Sequence, residues 1–169
     1  MSKRALKKYL TELPKEDLEE QMMDLYLRFP VVKEYYDFVF NPKEDKLLQQ
    51  AKAKISNEYF PLKRRKAKAR RSTAQKFIKH FLKLGVDTHL IADLMLYNLE
   101  IAQTFEMEKN VADSFYKSML NSFEQAVQYI SLNGMITDYK ERIAKIYTIT
   151  QEREWLFSEG FSKALDIID

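Results

Sequence analysis

Ten basic side chains fall between Tyr59 and Val86: Lys63, Arg64, Arg65, Lys66, Lys68, Arg70, Arg71, Lys76, Lys79 and Lys83. No Asp or Glu lies between Glu58 and Asp87. The whole chain carries 28 Lys and Arg against 25 Asp and Glu. Without these ten, eighteen positive residues face twenty-five negative ones, so a segment of +10 sits in a remainder of −7. Lysine and arginine at this density neutralise phosphates and release their counterions. Arginine alternating with alanine and lysine suits contact with a nucleic-acid backbone, not readout of base edges. The stretch therefore predicts weak, sequence-independent binding of nucleic acid or another polyanion across residues 63–83. Residues 62–72 are expected to form an exposed arm, mobile when free, because residues 63–71 offer only alanines as apolar groups and nothing suited to burial. The alternative is a protein-interaction or scaffolding domain. Its basic arm would pair with acidic surfaces, a partner's or its own, such as residues 12–20 or 106–108.

Other chemistry finds less support. Only two histidines exist, His80 and His89. His89 and Asp93 are four residues apart on one helix face, with Glu100 two turns on. A metal site needs three or four converging ligands, and a ferritin-like site needs Glu-x-x-His pairs, which are absent. The stripe reads as solvated or interfacial polarity. Nucleophilic catalysis needs an activated Ser, Cys or Thr with a base in reach; the chain has no Cys and no G-x-S-x-G. Gly85, Gly134 and Gly160 are isolated, so no glycine-rich loop cradles phosphate. No enzyme activity, cofactor or metal is expected. Ten Tyr and eleven Phe could serve as base-stacking platforms, yet most fall on apolar faces and read as core. Tyr35, Tyr36, Tyr59 and Phe60 are the reserved exceptions, near the arm or at helix ends.

Length bounds the architecture. A chain of 169 residues is expected to form one domain and to bury roughly 70% of its unfolded surface. Three Gly and four Pro are well below the usual shares of about 7% and 5%. With many Leu, Lys, Glu, Ala and Met, that favours helix. The basic opening MSKRALKKYL lacks the apolar core of a signal peptide, and no apolar run approaches the length of a membrane span. A soluble cytoplasmic protein is the expectation.

Periodicity then places the elements. Ser2 caps a first helix with Ala5, Leu6, Tyr9 and Leu10 on one face. Pro14 suits the first turn of a second helix, and Pro30 closes it. Residues 31–40 are β-branched and aromatic, but Val32, Tyr35, Tyr36 and Val39 keep helical spacing. Asn41 and Pro42 read as a cap and first position for a helix running to Phe60. Ser72 or Thr73 caps a helix ending at Gly85. Asp87 caps residues 88–107, whose Leu90, Ile91, Leu94, Met95, Leu99, Ile101, Ala102 and Phe105 cover well over half the circumference, as a central helix requires. Asn98 lies in the middle of that apolar arc and is expected to be buried and paired. Asn110 or Asp113 opens the next helix and Gly134 ends it. Thr137 and Glu141 sit near capping-box spacing, and residues 155–168 form a last short helix. The prediction is an all-α, single-domain bundle of about eight helices around residues 88–107.

The segments KRRKAKARRSTAQKFIKHFL, GVDTHLIADLMLYNLEIAQTF and SFYKSMLNSFEQAVQYI, with SKRALKKYL and EYYDFVFNP, together resemble a family of small bacterial proteins catalogued only as a domain of unknown function. The resemblance covers most of the chain and weakens after about residue 135. It implies a helical domain and a bacterial origin, and it implies no reaction, ligand or site residue.

Overall fold

A computed structural model describes residues 2–62 and 66–167. Nine helices and no strand occur among the described residues. The fold is all-α and multi-helical. The chain divides into two compact units, Met1–Lys43 and Glu44–Asp169.

The first unit holds α1 (Lys3–Glu12), α2 (Lys15–Arg28) and α3 (Pro30–Phe40). Ser2 Oγ accepts the Ala5 amide at 3.2 Å and caps α1, satisfying one of the orphan donors of a helix start. Pro14 stands one place outside α2, as its N-cap. Pro30 does not only stop α2: it is the first residue of α3, where its fixed φ is already helical and its missing N–H costs nothing. Residues 31–40 are helical, so the 3.6-residue spacing outweighs β-branched propensity. The α2–α3 pair is tied by Tyr26 Oη donating to Asp37 Oδ1 at 2.8 Å and Tyr36 Oη donating to Met22 Sδ at 3.1 Å. None of the three helices buries a side chain.

The second unit holds α4 (Glu44–Tyr59), α5 (Arg71–Leu84), α6 (Thr88–Glu108), α7 (Asp113–Leu132), α8 (Ile136–Glu152) and α9 (Ser158–Leu165). Two helix starts differ from expectation. Asn41 closes α3, its N–H donating to the carbonyls of Asp37 and Phe38, and α4 begins only at Glu44 with Glu44 and Asp45 in its first turn. The fifth helix starts at Arg71 with no side-chain cap, not after Ser72 or Thr73. The end of the last predicted helix, Ile168, lies outside the described residues.

Helix α6 packs against α4, α5, α7 and α8, and α9 packs on α7 and α8. Ten residues of α6 are buried, among them Ile91, Leu94, Leu96, Leu99 and Ala102. Full burial of a Leu or Ile stabilises by about 1.5–3 kcal/mol, so this helix carries a large share of the unit's apolar gain. Asp87 Oδ1 accepts the His89 amide at 2.8 Å and starts α6. Just before it, Gly85 ends α5 at φ 74°, a left-handed conformation that glycine reaches without a Cβ clash. Rings of Tyr59, Phe105, Phe115, Trp155, Phe161 and Phe123 form a continuous chain of centroid contacts between 5.2 and 6.3 Å. That chain joins α4, α6, α7 and α9.

Candidate polyanion interface

The basic segment is placed by Glu58, the last residue but one of α4. The Glu58 carbonyl accepts the amides of Lys68 and Ala69 at 3.1 and 3.2 Å. Its carboxylate accepts Arg70 Nε at 2.7 Å and Arg70 Nη2 at 3.2 Å, a bidentate pair. The Arg70 hydrogen bond, assisted by its charge, holds the Glu58 carboxyl below the usual carboxylate range. Ala69 takes a positive φ of 45°, uncommon for a residue with a Cβ. The turn is thus fixed by main chain and side chain of one residue, and Glu58 is an acidic partner of the segment among the described residues.

Arg71 departs from the expectation that nothing here suits burial. It is half-buried. Its Nε donates to Ser122 Oγ at 2.9 Å and its Nη2 to Gln125 Oε1 at 2.7 Å, both on α7. Ser122 Oγ in turn donates to the Ser118 carbonyl at 3.1 Å. These partners are neutral, so they fix the guanidinium without cancelling its charge. Loss of water lowers the Arg71 pKa, while an arginine stays charged at any physiological pH. This anchorage also explains why α5 begins at residue 71.

Beside Arg71 lies an open cleft of about 500 Å³. Lys68, Arg70, Arg71 and Ser72 line one wall, and Asn110 and Ser114 belong to the other. Helices α5 and α7 both start here without a side-chain cap, so their amide ends add partial positive charge. Asp113, in the first turn of α7, offsets part of that field. Along α5, Lys76, Lys79 and Lys83 are exposed, and their spacing sets them on one strip of the helix. Lys66 is also exposed. Lys63, Arg64 and Arg65 lie outside the described residues. Of the ten predicted residues, the structure gathers Lys68, Arg70 and Arg71 at the cleft and spreads three lysines along α5. Glu58, Ser122 and Gln125 were not read as part of the site. Glu58 had a signal, as the last acidic residue before the basic window. Ser122 and Gln125, more than fifty positions from Arg71, had none.

The polar stripe of α6 is an ion-pair bridge. Asp93 accepts Lys52 Nζ at 2.5 Å and Arg142 Nη1 at 2.6 Å. Arg142 also grips Glu100 in a bidentate pair, at 2.6 and 2.8 Å. The His89 carbonyl accepts Tyr139 Oη at 2.9 Å. Among the described residues no three His, Asp or Glu side chains converge as metal ligands. Tyr59 is buried in the core and presents no stacking face, while Phe60, partly buried, meets Phe105 in a T-shaped contact at 5.9 Å. Tyr35 and Tyr36 meet edge-to-face at 5.4 Å.

Fold and site together define an all-α, multi-helix protein with a cationic segment clamped beside an open cleft. The chain belongs to a family of unknown function, DUF6155, whose model matches residues 1–169. No curated protein and no solved structure matches the chain. No helix among the described residues is long and apolar enough to cross a membrane.

Proposed function

We propose that this chain is a non-enzymatic binding protein of the bacterial cytoplasm that contacts nucleic acid or a similar polyanion through residues 63–83. The observation that carries the reading is Arg71. A guanidinium partly withdrawn from water, held by the neutral side chains of Ser122 and Gln125, keeps its charge uncancelled beside an open cleft. A phosphate oxygen arriving there gains a charge-assisted hydrogen bond to a group that is already oriented. Exposed Lys66, Lys68, Lys76, Lys79 and Lys83 extend the positive surface for further phosphates. Lysines act as point charges without base-edge geometry, so contact is independent of sequence.

The test is fluorescence anisotropy with single- and double-stranded oligonucleotides across a salt series. If about four phosphates are neutralised, log K falls against log salt with a slope of roughly −3 to −4. Changing Lys66, Lys68, Lys76 and Lys79 to Ala flattens that slope and weakens all sequences alike. Their exposure leaves the melting temperature unchanged. Absence of binding at low salt, or an unchanged slope in the variant, overturns the reading. The competing reading, an acidic protein partner, draws on the Arg70–Glu58 pair, in which this segment already holds a carboxylate in bidentate fashion. The 260-to-280 nm absorbance ratio of purified protein before and after a high-salt wash separates the two.

A further inference from the structure

The unit formed by residues 1–43 is small and carries an apolar surface. Its helices bury no side chain, while Leu27, Val31 and Phe40 are 76%, 73% and 83% exposed. Below about 40 residues a fold usually draws stability from disulfides, a metal or oligomerisation. Residues 1–43 barely exceed that length and contain no Cys and no His. Association is one source of stability open to it.

The surface indicates what associates. Helices α2 and α3 form a groove of about 680 Å³ lined by Met22, Met23, Tyr26, Tyr36 and Phe40. Methionines adapt to an incoming side chain, and an apolar groove between helices accepts an amphipathic helix. Helix α1 is one. Leu6, Tyr9 and Leu10 are exposed on one side of it, while Lys3, Arg4, Lys7 and Lys8 give it a net charge of +3 against Glu12. Helix α2 is its electrostatic counterpart: Glu16, Asp17, Glu19, Glu20 and Asp24 outweigh Lys15 and Arg28 by three. Within its own unit α1 meets α2 at Tyr9, whose hydroxyl oxygen accepts Gln21 Nε2 at 2.9 Å, and the groove stays open.

A chain that carries both halves of a complementary pair satisfies both at once across a two-fold axis. We infer that the occupant of the groove is a second copy of this chain, with α1 of each copy seated against α2 and α3 of the other. The basic face of α1 then meets Glu19 and Glu20, which lie one turn before Met22 and Met23. An anionic lipid surface fits less well, because acidic α2 flanks the groove and repels it.

The test is sedimentation and light scattering of the full chain over a concentration series. The wild type is expected at twice the chain mass. Met23→Glu with Phe40→Glu spoils the groove, and Leu6→Glu with Leu10→Glu spoils the incoming helix. Each pair raises the dimer dissociation constant about tenfold or more. All four positions are exposed, so fluorescence of buried Trp155, in the other unit, is unchanged. Mixing the two variants restores one intact seat, and association tighter than in either variant alone is expected. Lys7→Glu with Lys8→Glu weakens the dimer independently of apolar contacts, and Glu19→Lys with Glu20→Lys in the same chain restores it. A wild type that stays monomeric, a dimer indifferent to these changes, or a mixture that fails to associate overturns the inference. So does a monomer that pellets with anionic phospholipid vesicles, which assigns the surface to a membrane.

Discussion

Asn98 is an amide placed where the helix otherwise presents Leu94, Met95, Leu99 and Ala102 to the core. It is 1% exposed, as is Tyr59, whose hydroxyl donates to Asn98 Oδ1 at 3.3 Å. Burial, reinforced by the Glu58 charge, pushes the Tyr59 phenol well above its usual pKa, so the phenol keeps its proton and remains a donor throughout the physiological range. Each group makes the other's burial tolerable. Asn98→Ala is expected to cost about 1–3 kcal/mol, because the Tyr59 hydroxyl is left without its acceptor. Asn98→Leu combined with Tyr59→Phe is expected to cost less than the two single changes together, since neither polar group then remains to be satisfied. Urea titrations of the four proteins close the cycle, and strict additivity would show that the pair is not coupled. Helical phase alone was enough to place Asn98 inside. Its partner, thirty-nine positions away, had no sequence signal.

Between elements, Asp93 is the junction. It ties α6 to α4 through Lys52 and to α8 through Arg142, which also holds Glu100. Burial by itself raises the Asp93 pKa, but hydrogen bonds from Lys52 and Arg142 outweigh it and hold the carboxyl below its ordinary value. Glu58 is depressed as well, chiefly by Arg70. A carboxyl with a lower pKa folded than unfolded binds fewer protons in the native state. Its contribution is therefore present above the unfolded value of about 4 and is lost as pH falls through the folded value. The melting temperature is expected to hold from neutrality to about pH 5 and to fall steeply below about pH 4. Asp93→Asn lowers stability at neutral pH by about 1–2 kcal/mol, kept modest because the carboxylate is still partly reached by solvent. It also makes the acid limb shallower; an acid limb as steep as wild type would remove Asp93 from the account. The helices themselves were legible, because the 3.6-residue apolar repeat reports the buried face directly. Their starts were less so. Ser72, Asn41 with Pro42, and Thr137 with Glu141 all have capping chemistry, yet α5, α4 and α8 begin without those caps. At α5 a tertiary contact, Arg71 on α7, set the boundary instead.

For the whole chain, charge and burial are distributed differently. The charge asymmetry, +10 in one segment against −7 elsewhere, was readable by counting. The burial asymmetry was not, since α1, α2 and α3 show the same apolar periodicity as helices with a core. Every buried hydrophobic side chain among the described residues lies between Leu48 and Ala164, all within the unit that begins at Glu44. Removing residues 1–43 therefore takes away none of those side chains. A fragment of residues 44–169 is expected to unfold cooperatively, with a melting temperature within about 4 °C of the full chain, a shift corresponding to no more than about 1–2 kcal/mol at this size. Trp155, the only tryptophan and 3% exposed, reports the transition from inside the retained unit. The isolated 1–43 segment is expected to show concentration-dependent helicity, because at high dilution it has no core to hold its helices. Circular dichroism of the two pieces and the full chain decides the matter. If the larger fragment melts broadly and binds a hydrophobic dye, the two compact units are one cooperative domain, and the stability of residues 44–169 depends on the segment before them.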